Sequence, residues 1–130
     1  MIVVDTSVWI ASLRNQLIPP VLLLFAAAGR EPLVVGDLVI LEVLQGARDE
    51  AHAARIERNL RRYVVLPMLS DRIAVQAARN YRTLRASGIT VRKTIDLIVG
   101  TFCIEMGHRL LHNDRDFDAM ESVLGLSVVR

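Results

Sequence analysis

The sequence predicts an α/β protein, a three-layer α/β/α sandwich around a central, mostly parallel sheet. Three observations predict it. Short β-branched apolar runs recur at residues 2–4, 33–35 and 64–66, each too short for a helix. Longer segments with apolar residues at helical spacing separate them, and strands alternating with helices form parallel sheets. The length of 130 residues suits one full core, so one domain over residues 1–130 is expected.

The elements follow in order. Ile2–Val4 reads as a buried strand, and Thr6 and Ser7 are N-cap types for a helix through Trp9 to Leu13. Pro19 and Pro20 precede a helix over 21–28 that Gly29 ends. After a strand at 33–35, Asp37 is expected to cap a helix over 38–44 closed by Gln45 and Gly46. A polar helix over 49–60 bears Arg55 and Arg58, with Arg62 beyond it, and leads to a strand at 64–66. Ser70 caps a long helix to about Ala86, with Ile73, Ala77, Tyr81 and Leu84 inward. Thr94 is read as the cap of an almost wholly apolar helix over 95–106, stopped by Gly107. A strand at 109–112, a short helix at 115–123 and a closing strand at 126–129 complete the chain.

Composition narrows the class. At 52% hydrophobic and a mean hydropathy of +0.36 the chain is not disordered, and with 5% aromatic residues its core is aliphatic. The single cysteine, Cys103, excludes disulfides within the chain and sits among core types, so a cytoplasmic location is expected. Asp5 interrupts the amino terminus, which argues against a secretory leader. The apolar run Pro20–Ala28 falls well short of the roughly 20 residues of a membrane helix, and no membrane association is expected.

Five carboxylates stand where apolar runs stop or become helices: Asp5, Glu42, Asp96, Asp114 and Asp116. Carboxyl ends of parallel strands are where ligands bind, so acids distant in sequence can meet there. Each has an ordinary alternative. Asp5 can cap the helix that follows it, Glu42 can lie on a polar helix side, Asp96 suits a helix first turn, and Asp116 can cap the last helix. Asp118 is expected to do no more than solvate its face. Brought together, the acids repel unless a cation neutralises them, and an oxygen-only set favours Mg²⁺ or Mn²⁺. His52, His108, His112 and Cys103 show no zinc-ligand spacing, and no phosphate-binding glycine loop or nucleophile elbow is present. With five of the 14 acids assigned to one site, nine remain against 16 bases, of which only Lys93 is not arginine. An arginine surface around an acidic pocket fits a polyanionic substrate and a metal. The same surface also follows from a GC-rich genome.

The segments Ile2–Val8, Leu41–Gly46, Thr94–Val99 and Asn113–Phe117, in that order and spacing, resemble a PIN domain. With the total length they resemble a VapC-type toxin of a toxin–antitoxin pair, and the resemblance covers the whole chain. It implies an Mg²⁺- or Mn²⁺-dependent endoribonuclease that hydrolyses RNA through attack of metal-activated water. The matching acids are Asp5, Glu42, Asp96 and Asp114 as metal ligands, with Asp116 as a variable fifth. Thr6 and Asn113 are supporting residues. Relatives commonly carry a hydroxyl residue where this chain has His112, so that hydroxyl is missing or replaced by Asn113 or water. Gly100 stands where alanine is frequent, a change expected to be harmless. The resemblance also implies a homodimer and a small DNA-binding antitoxin as partner. Arginine stripes at 55, 58 and 62 and at 79, 82 and 85 are candidate RNA tracks, or solvated faces. Trp9 and Phe117 are expected in packing more than in base stacking. A catalytically weak PIN-fold module that binds RNA or a partner is the alternative. An aspartyl-phosphate enzyme is disfavoured, because no acid lies two residues after Asp5.

Overall fold

The computed structural model describes residues 1–130. Its elements are β1 (Ile2–Val4), α1 (Thr6–Leu13), α2 (Pro19–Ala27), β2 (Leu33–Gly36), α3 (Asp37–Gln45) and α4 (Glu50–Leu60). Then come β3 (Val64–Leu66), α5 (Asp71–Ala86), α6 (Thr94–Met106), β4 (Arg109–Leu111), a 3₁₀ turn (Arg115–Phe117) and α7 (Asp118–Leu124).

The four strands lie in the order β3-β2-β1-β4, and every pairing is parallel. Strand order and handedness together generate the layers. The chain steps from β1 to β2 to β3 in one direction, then returns past β1 to β4. Right-handed crossovers therefore carry α1–α4 over one face and α5–α6 over the other. The helix packing agrees, with α1 against α2 and α3, α3 against α4, and α5 against α6 and α7. The direction reverses between β1 and β4, and the carboxyl ends of those two strands flank the switch point where open sheets bind ligands.

The core is aliphatic, as expected: β1 and β2 are buried along their whole lengths. Continuous apolar runs suit strands covered on both faces. Trp9 and Phe117 belong to this core. The indole Nε1–H of Trp9 donates to the Val4 carbonyl at 3.1 Å, and its ring lies 5.0 Å from that of Tyr63. Cys103 is buried and unpaired with any other cysteine.

Several caps differ from expectation. Asp5, not Thr6 or Ser7, is the N-cap of α1, its carboxylate accepting the Ser7 N–H. The helix starts one or two residues early because the Asp5 carboxylate at the strand end supplies the cap. Asp37 is the first residue of α3, not its cap, and its Oδ1 instead accepts the N–H groups of Leu38 and Met68. Lys93, not Thr94, caps α6 by backbone position alone. Residues 126–129 form a single parallel bridge, Leu110 to Val128, and not a full strand, because only that pair comes into register beside three-residue β4. At Gly100 an added Cβ would lie 2.3 Å from the Met120 Sδ, so the Met120 side chain fills the space that an alanine methyl would take. That close approach packs α6 onto α7.

Candidate metal centre

Asp5 follows β1 directly, and its backbone N–H donates to the Leu111 carbonyl at 2.9 Å, continuing the β1–β4 ladder by one residue. The acid is thereby held at the switch point and is 3% exposed. Its Oδ2 accepts the Ser7 hydroxyl at 2.6 Å and the Ser7 amide at 3.1 Å. Its Oδ1 is buried without any hydrogen-bond partner. Asp96 sits in the first turn of α6, 6% exposed, and its Oδ2 is likewise buried without a hydrogen bond.

The crevice, about 290 Å³, is lined by Asp5, Thr6, Ser7, Glu42, Lys93, Asp96 and Asp114, together with Ile10 and Gln45. Four expected acids therefore meet, drawn from α3, α6 and the ends of β1 and β4. Glu42 is half-buried, and its Oε1 accepts the Thr6 hydroxyl at 2.7 Å. Asp116 is absent from this lining but joins a second grouping, in which carboxylate oxygens of Asp96, Asp114 and Asp116 lie within 4.8 Å of one another. Asp118, the first residue of α7, belongs to neither.

Electrostatics separate the acids. Burial raises the Asp5 pKa, opposed by the Ser7 hydrogen bonds and reinforced by Glu42. Burial also pushes Asp96 up to about 7, helped by the negative charges of Asp5, Asp114 and Glu42 against the opposing charge of Lys93. Asp114 moves the other way: partial burial is outweighed by the Asp116 N–H and by Lys93. The Lys93 ammonium lies 3.0 Å from Asp114 Oδ2 and 3.8 Å from Asp96 Oδ2, and these acids hold its proton more firmly than usual. A cation is thus already drawn into the crevice.

Two unpartnered carboxylate oxygens in a shared crevice fit a hard divalent cation, which would satisfy the acceptors and cancel their repulsion. Asp96 and Asp114, shared by both groupings, could hold it together with Asp5 and Glu42 in the crevice or with Asp116 beside it.

Two supporting roles were not legible beforehand. Ser7 joins strands and acid: its hydroxyl donates to Asp5 and accepts the Asn113 N–H at 3.0 Å. Asn113 therefore contributes its backbone and not its exposed side chain. At the position where a hydroxyl was expected to be missing, His112 Nδ1 accepts the Asp114 N–H at 3.1 Å. The ring packs against Phe117 at 5.0 Å, which holds that nitrogen in place. Lys93 was signalled only by being the sole lysine. None of the six arginines of the two stripes lines the crevice. Arg85 stacks on Tyr81 at 5.8 Å, and the stripe side chains on α4 and α5 are exposed.

A family model described as the PIN domain matches residues 2–123. The VapC ribonuclease Mb1587 of Mycobacterium bovis and the ribonuclease VapC11 of Mycobacterium tuberculosis are each 32% identical over 133 residues, covering 97% of this chain and 96% of theirs. Among solved structures, VapBC2 of Rickettsia felis bound to promoter DNA matches with a TM-score of 0.80 at 13% identity, over 99% of this chain and 98% of that one. VapBC-5 of Mycobacterium tuberculosis matches with a TM-score of 0.67 at 25% identity, over 98% and 96%. No helix is long and apolar enough to cross a membrane. Matches of this extent span every acid of the crevice, and the chain belongs to the PIN-domain family, among its VapC members.

Proposed function

We propose that this protein is the toxin of a toxin–antitoxin pair, an endoribonuclease that hydrolyses RNA phosphodiesters with Mg²⁺ or Mn²⁺. The observation that carries this reading is the pair of buried oxygens without hydrogen bonds, Asp5 Oδ1 and Asp96 Oδ2, on two acids that line one crevice at the sheet's switch point. The names of its relatives, ribonucleases of VapC type, supply the reaction class. Asp5, Asp96, Asp114 and Glu42 are the proposed metal ligands, with Asp116 as an auxiliary acid and Thr6 and Asn113 in support.

A divalent ion held by these acids would supply Lewis-acid chemistry, acidifying a water and offsetting charge on the phosphate. The protein's own groups set the geometry. Ser7 occupies Asp5 Oδ2, so only Oδ1 is free to face the crevice. Thr6 fixes one Glu42 oxygen and leaves Oε2 as the oxygen this residue can offer a metal. His112 and the Asp116 N–H fix Asp114 from its backbone and from its Oδ1. Lys93 brings positive charge to the side from which a polyanion must approach.

The proposed partners are RNA, a VapB-like antitoxin and a second copy of the chain. Solved relatives are toxin–antitoxin complexes, some bound to DNA. Leu22 and Phe25 on α2 and Val75 on α5 are exposed apolar side chains that protein partners would cover. A cytoplasmic location is part of the same reading.

The test is cleavage of RNA by the purified protein in Mg²⁺ or Mn²⁺, beside Asp5→Asn and Asp96→Asn. Equal rates in all three proteins would remove the assignment. RNA that binds yet stays intact in every divalent ion would favour the binding-module alternative.

A further inference from the structure

A second recess of about 170 Å³ adjoins the acid crevice and shares Lys93 and Asp96 with it. It also takes in Asp116. Half-buried Ile89, Val91 and Ala119 give it an apolar wall, and Arg92 and Arg115 stand at its edge. Neither arginine belongs to any of the protein's ion pairs. Pockets for drug-sized ligands begin at roughly 300 Å³, so a recess of this size admits one flat ring system and little more.

An apolar slot beside two unpaired guanidinium groups matches a base joined to a phosphate. The ring packs on the wall, and the planar forks pair with phosphate oxygens. Charge decides which way such a ligand lies. Its phosphate must face Arg92 and Arg115 or a cation in the crevice, because Asp96 and Asp116 repel it elsewhere. Building on the ribonuclease reading, we propose that this recess seats the nucleotide beside the scissile phosphate. Ile89, Val91 and Ala119 receive its base, Arg92 and Arg115 hold its phosphate, and together they set base preference at the cut.

The experiment titrates the full isotope-labelled chain, in Mg²⁺, with the four ribonucleoside 5′-monophosphates and with inorganic phosphate, following backbone amide shifts. Shifts at Ile89, Val91 and Ala119 are expected with nucleotides and not with phosphate, and one base should bind best. Arg92→Gln with Arg115→Gln, both exposed positions, should weaken nucleotide binding by at least roughly tenfold, since two charge-assisted contacts are lost. Ala119→Phe fills the slot and should change the base found beside cuts in end-mapped RNA. No shift in the recess, equal shifts with phosphate alone, or an unchanged cut map in Ala119→Phe would each overturn the proposal. Nucleotides that bind the recess of a chain cutting no RNA would support the seat and remove only the cleavage reading.

Discussion

The inner and outer acids of the crevice are the same chemical groups under opposite physical pressure. Asp5 and Asp96 are buried, each keeps one oxygen without a hydrogen bond, and both have raised pKa values. Asp114, nearer the rim, is hydrogen-bonded by Lys93 and by the Asp116 amide, and its pKa is lowered. The outer acid is satisfied by the protein, whereas the inner pair is left to be satisfied by something else. A fold that accepts two unpaired buried acceptors forgoes stability that hydrogen bonds would otherwise supply. That cost is local, and a cation bound by the proposed ligands would remove it.

The strongest way to sharpen this contrast is to neutralise the buried acids and the auxiliary Asp116 separately. Asp5→Asn or Asp96→Asn should lower RNA cleavage by at least about 100-fold, since even outer partners of metal ligands are worth roughly 10- to 100-fold. Asp116→Asn should lower it only several-fold on the same scale. Equal losses at Asp96 and Asp116 in single-turnover assays would erase the distinction.

Next is the pH dependence of stability. A carboxyl raised from 3.8 to about 7 binds more protons folded than unfolded between those values, so stability falls as pH rises through that window. In chelator, denaturant unfolding should show a loss on the order of 2 kcal/mol, below the full shift because water reaches the crevice. Asp96→Asn should flatten the profile. Mn²⁺ should stabilise the protein more at pH 8 than at pH 5, and equal stabilisation at both would contradict coupled proton release.

A smaller effect concerns the rim. His112→Ala should slow cleavage by about tenfold by freeing the Asp114 backbone, while His112→Thr should retain most activity. A Thr variant as slow as Ala would mean that the ring does more than accept one N–H. Smallest is Lys93→Met, which should change stability by less than about 1 kcal/mol because the side chain is 55% exposed. By calorimetry it should bind Mn²⁺ more tightly, as a competing cation is gone.

Much of the candidate site was legible because its acids interrupt apolar patterns. Asp96 in an otherwise apolar α6 and Asp5 at the end of β1 stand out on chemistry alone. Lys93 and Ser7 did not, since a loop cation and a helix-turn serine are ordinary residues until their neighbours are known. Arginine stripes on α4 and α5 drew attention by periodicity, yet periodicity reports only a shared face and not what that face borders. The crevice instead borders Lys93, and the adjoining recess borders Arg92 and Arg115.

Alternation of short β-branched runs with amphipathic helices determined, without coordinates, that the sheet is parallel and layered between helices. Period and length are local properties, so the chain carries them in plain view. Only tertiary structure decided the strand order, and with it that Asp5 and Asp114 share one crevice from positions more than 100 residues apart. Register is set by packing across the whole core, and no local pattern encodes it. The same packing put a ring nitrogen of His112 against the Asp114 backbone N–H, a contact that no local pattern announces.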